Sequence, residues 1–247
     1  MGILTQIQAL KEQGKKGIAI LLDPDKISPD NFESLSLRLE NSGIDYVFVG
    51  GSLLMNDQLH NLVQTLKRFL SLPVVLFPGN AYQISPEADG ILFLSLISGR
   101  NPEMLIGQHV IAAPLLKQSG LEVMPTGYML VDSGKNTSVN YMSNTLPIPY
   151  DKADIAVCTA MAGELLGLKL IYMDAGSGAS NTISTEMISA VAGSVDIPLI
   201  VGGGIKTTQQ AEAVLKAGAD LIVIGNAFEK DPNGALIREI PEMIAAF

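Results

Sequence analysis

The chain has 247 residues, of which 47% are apolar and 17% charged, so it can bury one large core and is too apolar to be a disordered polypeptide. A formal net charge of −9 excludes a general nucleic-acid surface or a polybasic face for anionic membranes, both of which need clustered Lys and Arg. One cysteine, Cys158, leaves no internal disulfide to form and makes a reducing cytoplasm the simplest compartment.

Near the N-terminus, Lys15 and Lys16 precede an apolar run that Asp23 ends, too short for a signal-peptide core. Gln6 stands where a myristoylation signal needs Ser or Thr. No apolar run approaches the roughly 18 residues of a membrane span, so no integral membrane segment is expected. Residues 18–22 read as a first strand. Ser28 and Pro29 then supply an N-cap and a first-turn proline. Phe32, Leu35 and Leu39 fall on one face of a helix over 31–40 that Gly43 stops. Further strands are predicted at 46–49, 74–77, 91–94, 122–124 continuing toward 131, 169–173, 198–201 and 221–224. An alanine-rich helix covers 155–166, where Cys158 reads as a small core residue, and another helix covers 207–217. His60 and His109 have no Cys, His or Asp at metal-ligand spacing and read as packing or surface residues. Eight short aliphatic runs alternating with helices predict an α/β fold, a (β/α)8 TIM barrel formed by residues 1–247 as one domain.

Two stretches break this rhythm. Only 17 residues separate Val74 from Ile91, which leaves little room for a covering helix. A short loop with one helical turn would account for that, and so would a gap in the outer ring along which a long ligand lies. Residues 133–151, rich in Ser, Asn, Thr and Pro, form a long loop after the fifth strand, and such lengths go with function or mobility.

Reactive groups in a barrel sit where strands end and βα loops begin. Gly203 and Gly204 after the seventh strand, and Gly225 and Asn226 after the eighth, leave backbone N–H groups uncovered and lead to a helix N-terminus, which is a phosphate site. Gly176, Ser177 and Gly178 after the sixth strand extend that nest. Beside them, Asp174 suits a general base or a hydroxyl-binding group, unless it merely caps the turn. Across the mouth, Asp23-Pro24-Asp25 is either a common turn or a pair of carboxylates for a hard cation such as Mg²⁺, with Ser52 adding a hydroxyl.

Together these motifs resemble the geranylgeranylglyceryl phosphate synthase family, which includes the bacterial heptaprenylglyceryl phosphate synthases. The likeness runs from Leu22-Asp23-Pro24-Asp25-Lys26 through Gly50-Gly51-Ser52, Pro125-Thr126-Gly127-Tyr128 and Ser143-Asn144-Thr145-Leu146-Pro147. It continues through Tyr172-Met173-Asp174-Ala175-Gly176-Ser177-Gly178 to Gly202-Gly203-Gly204-Ile205-Lys206 and Gly225-Asn226-Ala227. The resemblance implies a barrel whose third helix is replaced by a short irregular segment. It implies a prenyltransferase of phospholipid biosynthesis that joins the C3 hydroxyl of sn-glycerol 1-phosphate to a long prenyl diphosphate, with geranylgeranyl diphosphate as the expected donor, and releases diphosphate. By position, Asp23 and Ser52 would hold Mg²⁺. Glycerol phosphate would lie on Tyr172, Met173, Asp174, Ala175, Gly176, Ser177, Gly178, Gly203, Gly204, Gly225 and Asn226, with Asp174 and Tyr172 as the catalytic pair. A lipid product implies transient contact with a membrane, and the high apolar fraction makes a homo-oligomer the expectation. Two positions depart from the family: Leu21 stands where many members have a Lys that contacts the glycerol phosphate, and Asp174 stands where some have Glu. The seventh- and eighth-strand motifs would equally serve a phosphosugar isomerase or synthase, or a non-catalytic binder of phosphorylated ligands.

Overall fold

A computed structural model describes residues 1–56, 58–230, 235–245 and 247. Eight parallel strands close into a barrel in chain order. They are β1 (Gly17–Leu22), β2 (Tyr46–Val49), β3 (Val74–Leu76), β4 (Gly90–Leu96), β5 (Glu122–Leu130), β6 (Leu170–Asp174), β7 (Leu199–Gly202) and β8 (Leu221–Ile224). Each predicted strand is present. The helices are α1 (Ile3–Glu12), α2 (Phe32–Glu40), α3 (Leu59–Phe69), α4 (Gln108–Ser119), α5 (Ser138–Ser143), α6 (Ala153–Leu165), α7 (Thr185–Ala192), α8 (Thr208–Lys216), α9 (Asn226–Lys230) and α10 (Ala235–Ile244).

Strand residues alternate between two cores. Ala19, Phe48, Val75, Leu92, Met124, Leu170, Ile200 and Leu221, one from each strand, fill the barrel interior. Their neighbours, such as Ile18, Val47, Val74, Ile171, Val201 and Ile222, face the helices. Both faces are therefore dry, which is why the strands read as unbroken apolar runs. The α1 helix, which has no counterpart among the expected elements, closes the N-terminal end of the barrel by adding Ile3 and Ile7 to the interior cluster. Its free N-terminal amides are capped from β5: the Glu122 carboxylate accepts the Ile3 N–H at 2.6 Å and the Leu4 N–H at 2.9 Å.

No helix lies between β3 and β4. Residues 77–89 run as turns, so the outer ring has the expected gap at its third position. Gln83 fixes this segment to the neighbouring loop, since its side chain donates to the Gly51 carbonyl at 2.9 Å and accepts the Gly79 N–H at 3.0 Å. The long loop after β5 contains the short helix α5, capped by Thr137 and Asn140. Thr207 caps α8 by accepting the Gln210 N–H at 3.2 Å.

Two local expectations are corrected. Ser28 makes no side-chain cap; Pro29–Asn31 form a separate 3-10 turn before α2 begins at Phe32. Cys158 is exposed rather than in the core. The inward face of α6 is made by Ala156, Ala160 and Gly163, and a residue two positions from Ala156 points about 200° around the helix. Among the described residues, no helix is long and apolar enough to cross a membrane.

Candidate active site

The C-terminal ends of the strands hold two adjoining cavities. The first is polar. It brings together Asp23, Ser52, Tyr172, Asp174, Gly176, Ser177, Gly178, Gly203, Gly204, Gly225 and Asn226, together with Leu21, Lys26 and Lys206. Met173 and Ala175 are not among its walls: their side chains lie in the outer core against the helices, as alternation along β6 requires.

Asp174 is the most enclosed carboxylate there, with 8% exposure. Its Oδ2 accepts the Tyr128 hydroxyl at 2.5 Å and its Oδ1 accepts the Gly176 N–H at 2.7 Å. Burial raises its carboxyl above the usual range, against the pull of those two bonds. Burial, followed by the Asp174 charge, pushes the Tyr128 and Tyr172 phenols well up, so both keep their protons at neutral pH. A side chain cannot replace the hydrogen at Gly203. Its φ is +84°, and a Cβ there would lie 2.8 Å from Asp174 Oδ1.

The glycine loops form a ready anion seat. Among the described residues, the N–H groups of Ser177, Gly178, Gly204 and Ile205 have no protein acceptor, although all four residues line the cavity. The Ser177 hydroxyl donates to Asn226 Oδ1 at 2.8 Å and ties the loop after β6 to the start of α9. Lys206 donates to the Ser180 carbonyl at 3.1 Å. Leu21 borders this seat at its Gly225 end; a Cβ on Gly225 would be 3.7 Å from Leu21 Cβ.

On the far side, Asp23 Oδ1 accepts the Asp25 N–H at 3.1 Å and Oδ2 pairs with Lys26 Nζ at 3.2 Å. The two carboxylates of the Asp-Pro-Asp turn do different things. Asp25 accepts the Met55 and Asn56 N–H groups at 2.5 and 3.0 Å, which anchors the loop that carries Ser52. Asp23 and Ser52 thus offer one carboxylate and one hydroxyl to the same cavity. Among the described residues no cluster of three or more His, Cys, Asp or Glu could hold a metal. Oxygen donors this few suit Mg²⁺, which keeps several waters and shares substrate phosphates, better than a metal needing a full protein cage.

The second cavity is apolar and opens to solvent. It occupies the gap in the helix ring, between β4, the 77–89 segment and α4, with Ile84, Ile91, Leu94, Met104, Ala112 and Leu116 on its walls. His109 packs there edge-on to Phe93, with ring centroids 4.4 Å apart, the packing role expected of it. His60 hydrogen-bonds Ser85 at 3.0 Å on the outer surface. Both cavities share Gly51, Ser52, Phe77, Tyr128 and Val139.

Phe77 and Tyr128 escaped the reading of site residues. Alternation places Phe77 inward after Val75, but only the β5–β6 register, which sets Tyr128 beside Tyr172, reveals the aromatic wall. Gly50 is what allows Phe77 so near β2, because a Cβ there would lie 1.9 Å from the Phe77 carbonyl oxygen.

Glycine loops on three consecutive strands beside a buried carboxylate define a phosphate-ligand TIM-barrel enzyme. The PcrB family profile matches residues 8–244, and the chain belongs to that family. A relative from Spirosoma linguale, named geranylgeranylglyceryl phosphate synthase, is 52% identical over 244 residues, covering 99% of this chain and 97% of its own. The crystal structure of (S)-3-O-geranylgeranylglyceryl phosphate synthase from Thermoplasma acidophilum, in complex with its substrate sn-glycerol-1-phosphate, superimposes with a TM-score of 0.94 at 32% identity over 100% of both chains. The N-acetylmannosamine-6-phosphate 2-epimerase of Clostridium perfringens shares the fold alone, with a TM-score of 0.56 at 13% identity over 98% of this chain and 95% of its own. The protein is a transferase similar to the geranylgeranylglyceryl phosphate synthases.

Proposed function

We propose that the protein is a Mg²⁺-dependent prenyltransferase that joins the C3 hydroxyl of sn-glycerol 1-phosphate to a long-chain prenyl diphosphate, geranylgeranyl diphosphate being the expected donor, and releases diphosphate. The observation that carries this reading is the shared wall between a polar, amide-lined cavity and an apolar groove. A phosphosugar enzyme has no use for the groove. The Thermoplasma acidophilum relative supports glycerol phosphate as the acceptor.

In this reading the acceptor's phosphate sits on the free amides of the 176–178 and 203–205 loops. The prenyl tail lies in the groove, and its diphosphate reaches the Asp23 side. Asp174 takes the proton of the C3 hydroxyl; burial raises its carboxyl above the usual range and so makes it a stronger base. Tyr128 and the Gly176 amide hold the carboxylate in one orientation while each oxygen keeps a free lone pair. Mg²⁺ held by Asp23 and Ser52 would supply Lewis-acid stabilisation of the departing diphosphate.

The test is to offer the purified protein sn-glycerol 1-phosphate, or its enantiomer, with prenyl diphosphates of several lengths, with Mg²⁺ or with EDTA, and to weigh the lipids. The expected result is one ether product that requires the sn-1 isomer and Mg²⁺ and disappears in Asp23→Asn. Turnover that survives EDTA, or no ether at all, overturns the reading.

A further inference from the structure

If the donor's tail lies in the groove and the acceptor in the polar cavity, as proposed above, the reacting carbon C1 lies where the two meet. That junction is aromatic. Phe77 stacks on Tyr172 with centroids 5.0 Å apart and planes 21° apart, and Tyr128 meets Phe77 edge-on at 6.0 Å. Of the three rings, Phe77 and Tyr128 line both cavities. The Tyr128 hydroxyl donates to Asp174 Oδ2 at 2.5 Å, and a phenol that donates to a carboxylate carries more negative charge in its ring. A cation near a desolvated ring face is attracted to that charge.

We propose that the rings of Phe77 and Tyr128 stabilise the positive charge that develops on the allylic C1 of the prenyl donor. The C1–O bond breaks and its electron pair leaves with the diphosphate oxygen. The charge spreads over C1 and C3 of the allyl group while the aromatic wall faces it. The C3 hydroxyl oxygen of the glycerol phosphate then forms the new C–O bond, and its proton passes to the Asp174 carboxylate. Phe77 is thereby a catalytic residue in addition to those assigned from the glycine loops and the metal side. Its ring carries no proton to exchange, so its whole contribution is electrostatic.

The test replaces Phe77 with 4-fluoro-, 3,5-difluoro- and 3,4,5-trifluorophenylalanine, which withdraw ring charge at nearly constant size. Single-turnover ether formation from geranylgeranyl diphosphate and sn-glycerol 1-phosphate is then followed at saturation. The expected result is a log-linear fall in rate with each fluorine, reaching about 5- to 30-fold for the trifluoro ring, with both KM values unchanged. Phe77→Leu should lose a similar factor or more and Phe77→Tyr should stay within about threefold. The fluorinated series decides the matter if Phe77→Leu does not fold. A flat series, or an effect confined to KM, overturns this proposal while leaving the proposed function intact. If the unmodified protein forms no ether from these substrates, the proposed function itself has failed.

Discussion

Asp174 already accepts two hydrogen bonds, yet enclosure makes it harder to ionise than a free aspartate, and this sets its pH behaviour. Between the unfolded value near 3.8 and the raised native value, the folded protein holds more protons than the unfolded chain. The contribution of Asp174 to stability therefore falls as pH rises through that window, and it is lowest above it. Asp174→Asn removes the charge while its amide still satisfies Gly176 and Tyr128. The variant should melt above wild type at pH 8, with the gap closing toward pH 4, and should turn over roughly 10²–10⁴-fold slower. Calorimetry at the two pH values and steady-state kinetics check both halves. A variant that melts lower at pH 8 contradicts the sign. The place of Asp174 at the polar cavity was legible, because a carboxylate beside a glycine turn at a strand end is a local pattern. Tyr128 was not legible, because its hydroxyl meets Asp174, 46 positions along the chain, only through the stagger of two strands.

The elements divide the same way. The strands were legible because burial on both faces turns them into short aliphatic runs. The gap after β3 was legible as a shortage of residues. The helix α1 was not, since its residues Ile3 and Ile7 acquire a partner only when the barrel closes beneath them. Cys158 misled for the related reason that α6 packs with its smallest residues, so apolar character does not mark its inner face. The α1 helix also allows stability to be tested apart from function. Glu122→Ala strips the cap from Ile3 and Leu4 at the barrel end opposite the site, and should cost about 1–3 kcal/mol, or roughly 3–10 °C in Tm. Its kcat at 25 °C should stay within about twofold of wild type, because N-terminal barrel faces serve stability. Thermal melts alongside turnover measure this, and a large loss of kcat would show that the two ends are coupled.

At the scale of the molecule, the proposed function lets an acidic, apolar chain hold phosphorylated ligands because the amides of its glycine loops do the work that surface lysines do elsewhere. The wall common to the two cavities has a further effect after the chemistry is over. Before reaction, head and tail are held as separate molecules. Afterwards they are covalently joined, and each end holds the other in place at a high effective concentration. The ether lipid should therefore leave more slowly than it forms: rapid-quench time courses should show a burst of one product per enzyme, followed by a slow phase that added phospholipid vesicles accelerate. A linear time course without vesicles would refute this. On the proposed function, the wall that brings the substrates together would also make their product an inhibitor and tie steady output to a nearby bilayer that can take it away.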